Sequence, residues 1–509
     1  MCDARRATGH RSLQGRSTEC HLHRRAATGC GAGSRSGHGT GGTGEPLTAG
    51  VPLLSGPLQA PAVAASRAVL LVLAGTLIAW GGVPWGTFQF DDFLNVVRDP
   101  ATLDPAAFAE RLPQGLRPLT RLSYFVDGQL HGLNAAGFLA TNLLLHLFTA
   151  LLVLALARRR LSEIGACAAA LIFALQPAHA EVVAYVSGRS TGLMTPLLLG
   201  GLLLHDRGRR ASALVLFALA CLAKEVALVF PALLLVWELT RAVPRPGRWR
   251  ELAIAAAVAV VTGALLFSLV NYQALLGYSS GLRPVSENLL ASARAIPEML
   301  SLWIRPWALS ADHAFDAAGH VGAAVAGLLL LAGLVTIALA LRRRIPLLAF
   351  AILWPLVALL PTNSLVAKID LVTEKPLYLA WLGPALALGA AVSASLAAAS
   401  NRAARRRVAG VVVAVLCVLA AASQWRASLW RDPVRLWLDA TAKAPECSRC
   451  WNNLGMARLL AKQDVEAVAA FERALRLDPA NETARLNLHT ALALCGRACS
   501  DPGYHRPAA

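Results

Sequence analysis

Charged residues are scarce in this chain. They make up 15% of its 509 positions, and hydrophobic residues make up 56%, whereas a soluble protein carries about a quarter charged residues. Long stretches such as Gly322–Leu341 and Val408–Ala422 contain no charge at all. Because about 20 apolar residues span the hydrocarbon of a bilayer, this scarcity argues against a soluble protein and predicts an integral membrane protein.

Common catalytic signatures are missing as well. The sequence has no phosphate-binding glycine loop, no Ser-His-Asp signature and no HExxH zinc motif. Its ten cysteines are too few and too scattered for a disulfide scaffold. Cys167, Cys221 and Cys417 lie in apolar runs and are predicted to be small packing residues.

Positive charge is abundant, but its placement argues against a nucleic-acid partner. The net charge is +18, and the arginines lie in the N-terminal tail and in short clusters between apolar runs. Arginines in such clusters set the topology of membrane proteins. Residues 1–66 are basic and have no periodic apolar pattern. We predict that they are disordered, or an upstream extension from a misassigned start.

Apolar segments recur between residues 67 and 424 and predict an all-α, polytopic membrane helix bundle with about 11 transmembrane helices. Lys224–Glu225 interrupts one continuous run, and arginines on both of its flanks require the chain to cross twice there. The segments are Ala68–Val83, Ala136–Ala157, Glu163–Pro177, Thr191–His205, Ala211–Ala223, Val226–Leu239, Leu252–Val270, Val321–Leu341, Ile345–Leu360, Leu377–Ala398 and Val408–Ala422.

The positive-inside rule gives one consistent topology. It places the N-terminus in the cytoplasm and everything after Gln424 outside. The inside clusters are Arg158–Arg160, Arg207–Arg210, Arg241–Arg250, Arg342–Arg344 and Arg402–Arg407. The outside loops, which are acidic or mixed, are Phe88–Ala135, His179–Ser190, Lys224–Glu225, Asn271–His320 and Pro361–Pro376.

Residues 425–495 are soluble in character and follow the 34-residue spacing of tetratricopeptide repeats (TPRs). One complete repeat is flanked by two partial ones, so we expect the module to pack on the membrane domain or on a partner and to bind a protein or peptide. Residues 496–509 are predicted to be a disordered tail. The repeat positions are Trp451, Leu454, Gly455, Ala467, Phe471, Ala474 and Pro479, and Trp437 stands 34 residues before Phe471.

Four cysteines, Cys447, Cys450, Cys495 and Cys499, lie in or beside this module. Disulfides, a zinc site and ordinary thiols are the three interpretations. An oxidising compartment favours disulfides, and the spacing fits no common zinc ribbon.

Two adjacent carboxylates, Asp91 and Asp92, follow the first apolar segment and are flanked by aromatic residues. Such crowding raises the pKa of one carboxyl group and suits a general base or a ligand of a divalent metal. The alternative is a solvated loop in which an aspartate caps the next helix.

Other polar residues are concentrated in the same outside loops. His179 and Glu181, followed by Arg189, either line a polar cleft or form the wet end of a helix pair. Lys224–Glu225 at membrane depth indicates a cavity or a partner, unless the two side chains neutralise each other. Lys375 is placed to meet a phosphate at the interface. The residues able to do likewise are Lys368, Arg117 and Arg121.

This ordered set resembles the transmembrane-and-TPR family of protein O-mannosyltransferases and their bacterial relatives, which are C-class glycosyltransferases. The similarity runs from about residue 67 to residue 492, and it is the order of the motifs, rather than any single motif, that carries it. The matching segments are Phe90-Asp91-Asp92 with Asn95, Arg117-Pro118-Leu119 with Ser123, Asn142–His146, Ala178–Ala184 with Ser187-Gly188-Arg189, Lys224-Glu225, and Glu374-Lys375 with Tyr378-Leu379.

The resemblance implies an inverting transfer of a sugar, mannose in much of the family, from a polyprenyl-phosphate donor to a hydroxyl of a protein or glycan. The donor comes from the lipid phase, and transfer occurs on the periplasmic face of a bacterial inner membrane. Asp91 or Asp92 would remove the proton of the acceptor hydroxyl. Arg189, Lys375 and Lys224 would stabilise the leaving phosphate. The remaining substrate-binding residues would be Arg117, His179, Glu181, Glu225, Glu374 and Tyr378.

Two departures from the family pattern stand out. Gln176 occupies a position where relatives often have histidine, and Lys375 one where they commonly have arginine, which alone binds phosphate through a bidentate fork. Two other functions stay open: a TPR scaffold anchored by a degenerate membrane domain, and a carrier of polyprenyl-linked intermediates. The spans show no internal repeat of the transporter kind, and a scaffold has no reason to keep an acidic pair beside the membrane.

Overall fold

The computed structural model describes residues 62–495, apart from 114, 244 and 319. Over these residues the regular secondary structure is helical and no strand is present, so the predicted all-α fold class is confirmed. The expected N-terminal disordered segment and tail lie outside the described residues, except that 62–66 already belong to the first helix.

The membrane part contains long apolar helices joined by short ones. In chain order they are α1 (Ala62–Trp80), α2 (Pro105–Arg111), α3 (Pro118–His131), α4 (Ala135–Ala157), α5 (Glu163–Ala174), α6 (Ala180–Val183), α7 (Arg189–Asp206), α8 (Arg210–Ala223), α9 (Phe230–Leu239), α10 (Arg248–Phe267), α11 (Val270–Leu282), α12 (Val285–Ser301), α13 (Val321–Leu341), α14 (Pro346–Leu359), α15 (Leu377–Ala380), α16 (Leu382–Ala398) and α17 (Arg402–Trp430).

Six of the described segments are long and apolar enough to cross a bilayer: Ala65–Trp85, Ala135–Ala157, Arg248–Phe267, Val321–Leu341, Leu377–Ala398 and Arg402–Trp430. A seventh is the pair Glu163–Ala174 and Pro177–Val183, which is bent by 54°. Each of the apolar segments recognised in the sequence is largely helical. The number of crossings stays a prediction, because helices such as α8 and α14 are too short for a perpendicular span.

The loops form two groups, at opposite ends of the spans. Arginine-rich loops contact each other, as in the ion pairs of Arg159 with Asp206 (2.6 Å) and Arg210 with Glu251 (2.5 Å). The loops assigned to the outside also meet, as shown by Asp92, whose carboxylate accepts hydrogen bonds from Ser187. The grouping agrees with the charge rule, and it gathers the candidate site residues at one end of the bundle.

Small residues allow the central helices to approach closely. At Gly389 of α16, an added Cβ would clash with the carbonyl oxygen of Gly165 and lie 2.6 Å from the Cβ of Ala169, both on α5. Lipid tails are as apolar as the helices, so the hydrophobic effect does not drive helices together inside a membrane. Close van der Waals contacts of this kind hold them together instead. The α5–α16 contact therefore fixes the helices that precede and follow the loops of the site.

Four helices complete the described chain: α18 (Pro433–Lys443), α19 (Ser448–Leu460), α20 (Asp464–Leu477) and α21 (Glu482–Cys495). Leu454 of α19 packs in a small core with Trp437 and Ala440 of α18, and Gly455 lies against the ring of Phe471 on α20. Their positions suit the predicted helix pairs, and the assignment as a TPR stays a prediction.

We expect Gly389→Val to destabilise the bundle by about 1–3 kcal/mol, because the new side chain must separate α5 from α16. Gly410→Val on α17 is the matched control, since a Cβ there has no neighbour within 4 Å. Thermal unfolding of the purified protein in detergent compares them. Equal melting temperatures for the two variants would contradict the close α5–α16 contact.

Candidate active site

The outside loops enclose a cavity of about 90 Å3. Its polar lining includes the carboxylates of Asp91, Glu181, Asp312 and Asp370 and the ammonium group of Lys375. The cavity therefore brings together three of the candidate residues from different loops, Asp91, Glu181 and Lys375. His179, another candidate, does not line it.

Glu181 joins two loops that are far apart in sequence. Its Oε2 atom accepts hydrogen bonds from the backbone N–H groups of Glu374 (2.9 Å) and Lys375 (3.0 Å). Its Oε1 atom lies 3.2 Å from the Nζ atom of Lys375. One carboxylate thus satisfies two backbone donors and one cation, and it fixes where Lys375 enters the cavity.

The two adjacent aspartates have different surroundings. Asp92 is fully buried, and its oxygens accept from the N–H of Gln89 (3.0 Å) and from the N–H (2.7 Å) and Oγ (2.6 Å) of Ser187. Asp91 is half-buried and lines the cavity. Among the described residues no hydrogen bond to its carboxylate occurs. Asp92 therefore holds the loop in place, and Asp91 presents a carboxylate to whatever enters.

Burial dominates the electrostatics of Asp92. It raises the pKa of this carboxyl group to about 6, although the hydrogen bonds from Ser187 and Gln89 and the charge of Lys375 act in the opposite direction. One carboxyl of the pair therefore has a raised pKa, as predicted from the crowding of the two aspartates. The cause is the desolvation of Asp92 rather than the charge of Asp91.

Positive charge extends beyond Lys375. Burial, together with the charges of Arg117, Lys375 and Lys368, lowers the pKa of Lys224 to about 7. Burial and the charge of Lys375 lower the pKa of Lys368 to about 8, although Asp370 and Glu181 oppose this. The three ammonium groups therefore repel one another, and an anion placed among them would relieve the repulsion.

Lys224 and Glu225 do not neutralise each other through a direct contact. The Nζ atom of Lys224 donates to the Oγ1 atom of Thr191 (2.7 Å), whereas Glu225 forms a bidentate pair with Arg117 (2.7 and 2.9 Å). Arg117 therefore already has a carboxylate partner through its Nε and Nη2 atoms, and its contact with substrate stays a prediction.

Glu374 belongs to a buried network beneath the cavity. It lies 3.2 Å from the guanidinium of Arg426, which is also fully buried, and it accepts from the N–H of Ser310 (2.8 Å). His313, whose ring lies 3.4 Å from Glu374, lines the cavity above. Glu374 thus supports the lining from below instead of facing substrate.

Arg189 is placed away from the cavity, contrary to the role that the resemblance implied. Its guanidinium is fully buried and pairs with Asp127 (2.8 Å), and it also donates to Asn142 and to the carbonyl of Phe138 (2.6 Å). Its Nη1 atom donates to the hydroxyl of Ser123 (3.3 Å), so each nitrogen of the buried guanidinium has a partner within the bundle. Arg189 ties α7 to α3 and α4.

His179 and Tyr378 also lie inside the bundle. The hydroxyl of Tyr378 is 2.8 Å from the Nδ1 atom of His146, and the ring of His179 packs 4.5 Å from that of Tyr378. Both ring nitrogens of His179 are buried without a hydrogen-bond partner among the described residues. These residues shape the interior below the cavity and do not line it.

Several lining residues were missed in the sequence. Asp312 and His313 lie in a long outside loop without a recognised motif. Asp370 lies in the outside loop Pro361–Pro376 but has no role predicted from the sequence. Trp437 was read only as a repeat position. A polar Asp-His pair in a loop between apolar helices was the one signal available for the first two.

The cysteine region favours disulfide chemistry over zinc. The Sγ atoms of Cys447 and Cys450 are bonded to each other. With Asp312 they are the group of three potential metal ligands found among the described residues, but bonded sulfurs are not thiolate ligands. Cys499 lies outside the described residues.

Comparison with known proteins finds a curated relative and a similar solved structure. No family model matches the chain. A protein O-mannosyl-transferase of Caenorhabditis elegans is 25% identical over 230 residues, which are 41% of this chain and 30% of that protein. The chain thus spans less than a third of the length of this curated relative.

The crystal structure of ArnT from Cupriavidus metallidurans bound to undecaprenyl phosphate is similar over 84% of this chain and 78% of that one, with 19% identity and a TM-score of 0.40. The curated relative agrees with the resemblance predicted from the ordered motifs, and the long apolar helices indicate a multi-pass membrane protein.

Proposed function

We propose that this chain is a membrane glycosyltransferase that moves a sugar from a polyprenyl-phosphate donor to a hydroxyl group of a protein. The observation that carries the proposal is the meeting of Asp91, Glu181 and Lys375 in one cavity. The matched relative is an O-mannosyl-transferase, which favours mannose as the sugar. The cavity would face the outer side of the membrane, as the positive-inside rule requires.

Asp91 is the general base in this proposal. The acceptor oxygen attacks the anomeric carbon and loses its proton to the Asp91 carboxylate, while the bond between that carbon and the donor phosphate oxygen breaks. A single displacement of this kind inverts the anomeric configuration. Asp91 is favoured over Asp92 because three donor groups already occupy the oxygens of Asp92.

Lys375 stabilises the departing polyprenyl phosphate. Its ammonium group lines the cavity, and its charge helps to lower the pKa values of the nearby Lys224 and Lys368. Negative charge develops on the phosphate as the bond breaks, so cations held in advance around it lower the barrier. Lysine provides a point charge rather than a fork, and three lysines compensate for the missing guanidinium.

The same contacts weigh against a purely structural membrane anchor. A scaffold gains nothing from a half-buried carboxylate that has no hydrogen-bonding partner in the described part of the chain and that lies near ammonium groups whose pKa values burial has lowered. Charges of this kind at membrane depth are costly and mark functional sites.

Asp91→Asn should lower kcat by about 10²–10⁴-fold, because the amide cannot take up the acceptor proton. Membrane insertion and the melting temperature should stay unchanged, since no described residue hydrogen-bonds this carboxylate. The measurement is transfer from a synthetic polyprenyl-phosphate sugar to an acceptor peptide.

Glu110→Gln is the control, as it removes an exposed carboxylate from α2 in the same loop. Asp92→Asn should instead lower the melting temperature, because the amide hydrogens oppose the N–H of Gln89. Full transfer activity in Asp91→Asn would rule out Asp91 as the base.

The KM for the donor should rise with pH between about 7 and 8, where Lys224 and Lys368 lose their protons. Both pKa values lie below the ordinary value for lysine, so the cations are present on the acid side and are lost on the alkaline side. Initial rates at varied donor concentration give the profile.

Lys224→Met should remove the part of that profile centred near pH 7, whereas Lys462→Met, at an exposed turn before α20, should leave it unchanged. A donor KM that is constant from pH 6 to pH 9 in the unmodified protein would show that these lysines do not bind the phosphate.

A further inference from the structure

The C-terminal helices supply one wall of the cavity. Trp430, at the end of α17, and Leu436 and Trp437, from α18, line it together with Asp91. Trp437 is only 5% exposed, and its ring lies 5.8 Å from that of Phe90, the residue before Asp91. The cavity is therefore incomplete without α18.

This wall differs in chemistry from the rest of the lining. The cation of the cavity, Lys375, comes from a membrane-domain loop, whereas the residues of α17 and α18 that line the cavity are aromatic or aliphatic. An apolar wall offers nothing to a donor phosphate. It suits the carbon skeleton of an acceptor whose hydroxyl points to Asp91.

Ion pairs hold the C-terminal helices on the loops of the site. Arg449 of α19 contacts Asp312 (2.6 Å) and Asp370 (2.5 Å), which both line the cavity. Lys443 of α18 donates to the carbonyl of Leu309 (2.7 Å), next to the same loop. The position of Trp437 is thus set from both sides of the cavity.

The backbone beside this wall is strained. Phe90 has a φ of 41°, a left-handed conformation that a residue with a bulky side chain rarely adopts. Its ring packs edge-on against Trp437, and the following N–H, that of Asp91, donates to the hydroxyl of Tyr185 (3.0 Å). Trp437 therefore contacts the segment whose conformation aims Asp91.

We propose that Trp437 is a specificity-determining residue that forms the acceptor-side wall of the site and holds a hydroxyl-bearing side chain of a polypeptide against Asp91. The inference rests on the proposed function, which it deepens. The helices after α17 are then part of the acceptor site, in addition to any binding surface of their own.

The kinetic test varies acceptor and donor separately in the full-length protein. Trp437→Ala should raise the KM for a Ser/Thr-containing peptide about tenfold or more, as for a buried aromatic contact residue. The donor KM should change less than twofold. Trp437→Phe should recover most of the loss because it restores the ring, and Leu438→Ala, the exposed neighbour on α18, is the control.

A binding measurement separates this inference from the proposed function. Peptide affinity is measured without donor, on the protein in nanodiscs, with melting curves to confirm that each variant is folded. If the unmodified protein transfers no sugar but binds the peptide more tightly than Trp437→Ala does, the acceptor wall is supported and the proposed transferase activity is rejected. If Trp437→Ala is unfolded, Trp437→Phe and Trp437→Leu replace it, and the leucine variant should bind more weakly than the phenylalanine variant.

Three results would overturn the role of Trp437. They are equal peptide affinity in the Trp437 and Leu438 variants, equal changes in donor and acceptor KM, and binding of a free oligosaccharide in place of the peptide. Transfer activity that survives any of these results would leave the proposed function standing without the acceptor wall.

Discussion

The carboxylate of Glu181 is the contact on which the site depends. It accepts two backbone N–H groups from residues 374 and 375 and pairs with the ammonium group of Lys375. Two loops nearly two hundred residues apart thereby share one partly buried charge pair. A carboxylate removed from water needs such partners, so these loops have few alternative arrangements.

The remaining charges of the site form two classes. Pairs such as Arg117–Glu225 and Arg426–Glu374 are satisfied within the protein and stabilise the outside end of the bundle. The Asp91 carboxylate and the lysine ammonium groups are less completely compensated. The lysine ammonium groups can therefore bind an anionic donor, and the Asp91 carboxylate can accept a proton. The paired charges hold the surrounding loops in position.

The helical framework could be predicted because hydrophobicity in a bilayer is a local property. Segments such as Ala136–Ala157 and Val321–Leu341 match α4 and α13 to within a residue, and the arginine clusters predicted which loops would lie together. Glu181 and Lys375 were also identified, because both are ionisable residues beside apolar segments.

Side-chain partners were not predictable in this way. The sequence around Arg189 does not show whether its guanidinium binds a phosphate or a carboxylate of the protein. The fold determines its partner, which is the buried carboxylate of Asp127. His179 stands two residues from Glu181 on the same helical piece, Pro177–Val183, where side chains two apart point in nearly opposite directions, so one faces the bundle and the other the cavity. Trp437 fits a repeat pattern, which conceals its contact with Phe90.

The most direct measurement is an electron cryomicroscopy structure of the full chain in a nanodisc with a polyprenyl phosphate bound. The phosphate should lie within about 4 Å of the Lys375 ammonium group, an ion-pairing distance, with the Asp91 carboxylate across the same cavity. A phosphate bound instead among the arginine-rich loops at the other end of the bundle would show that the cavity is not the donor site.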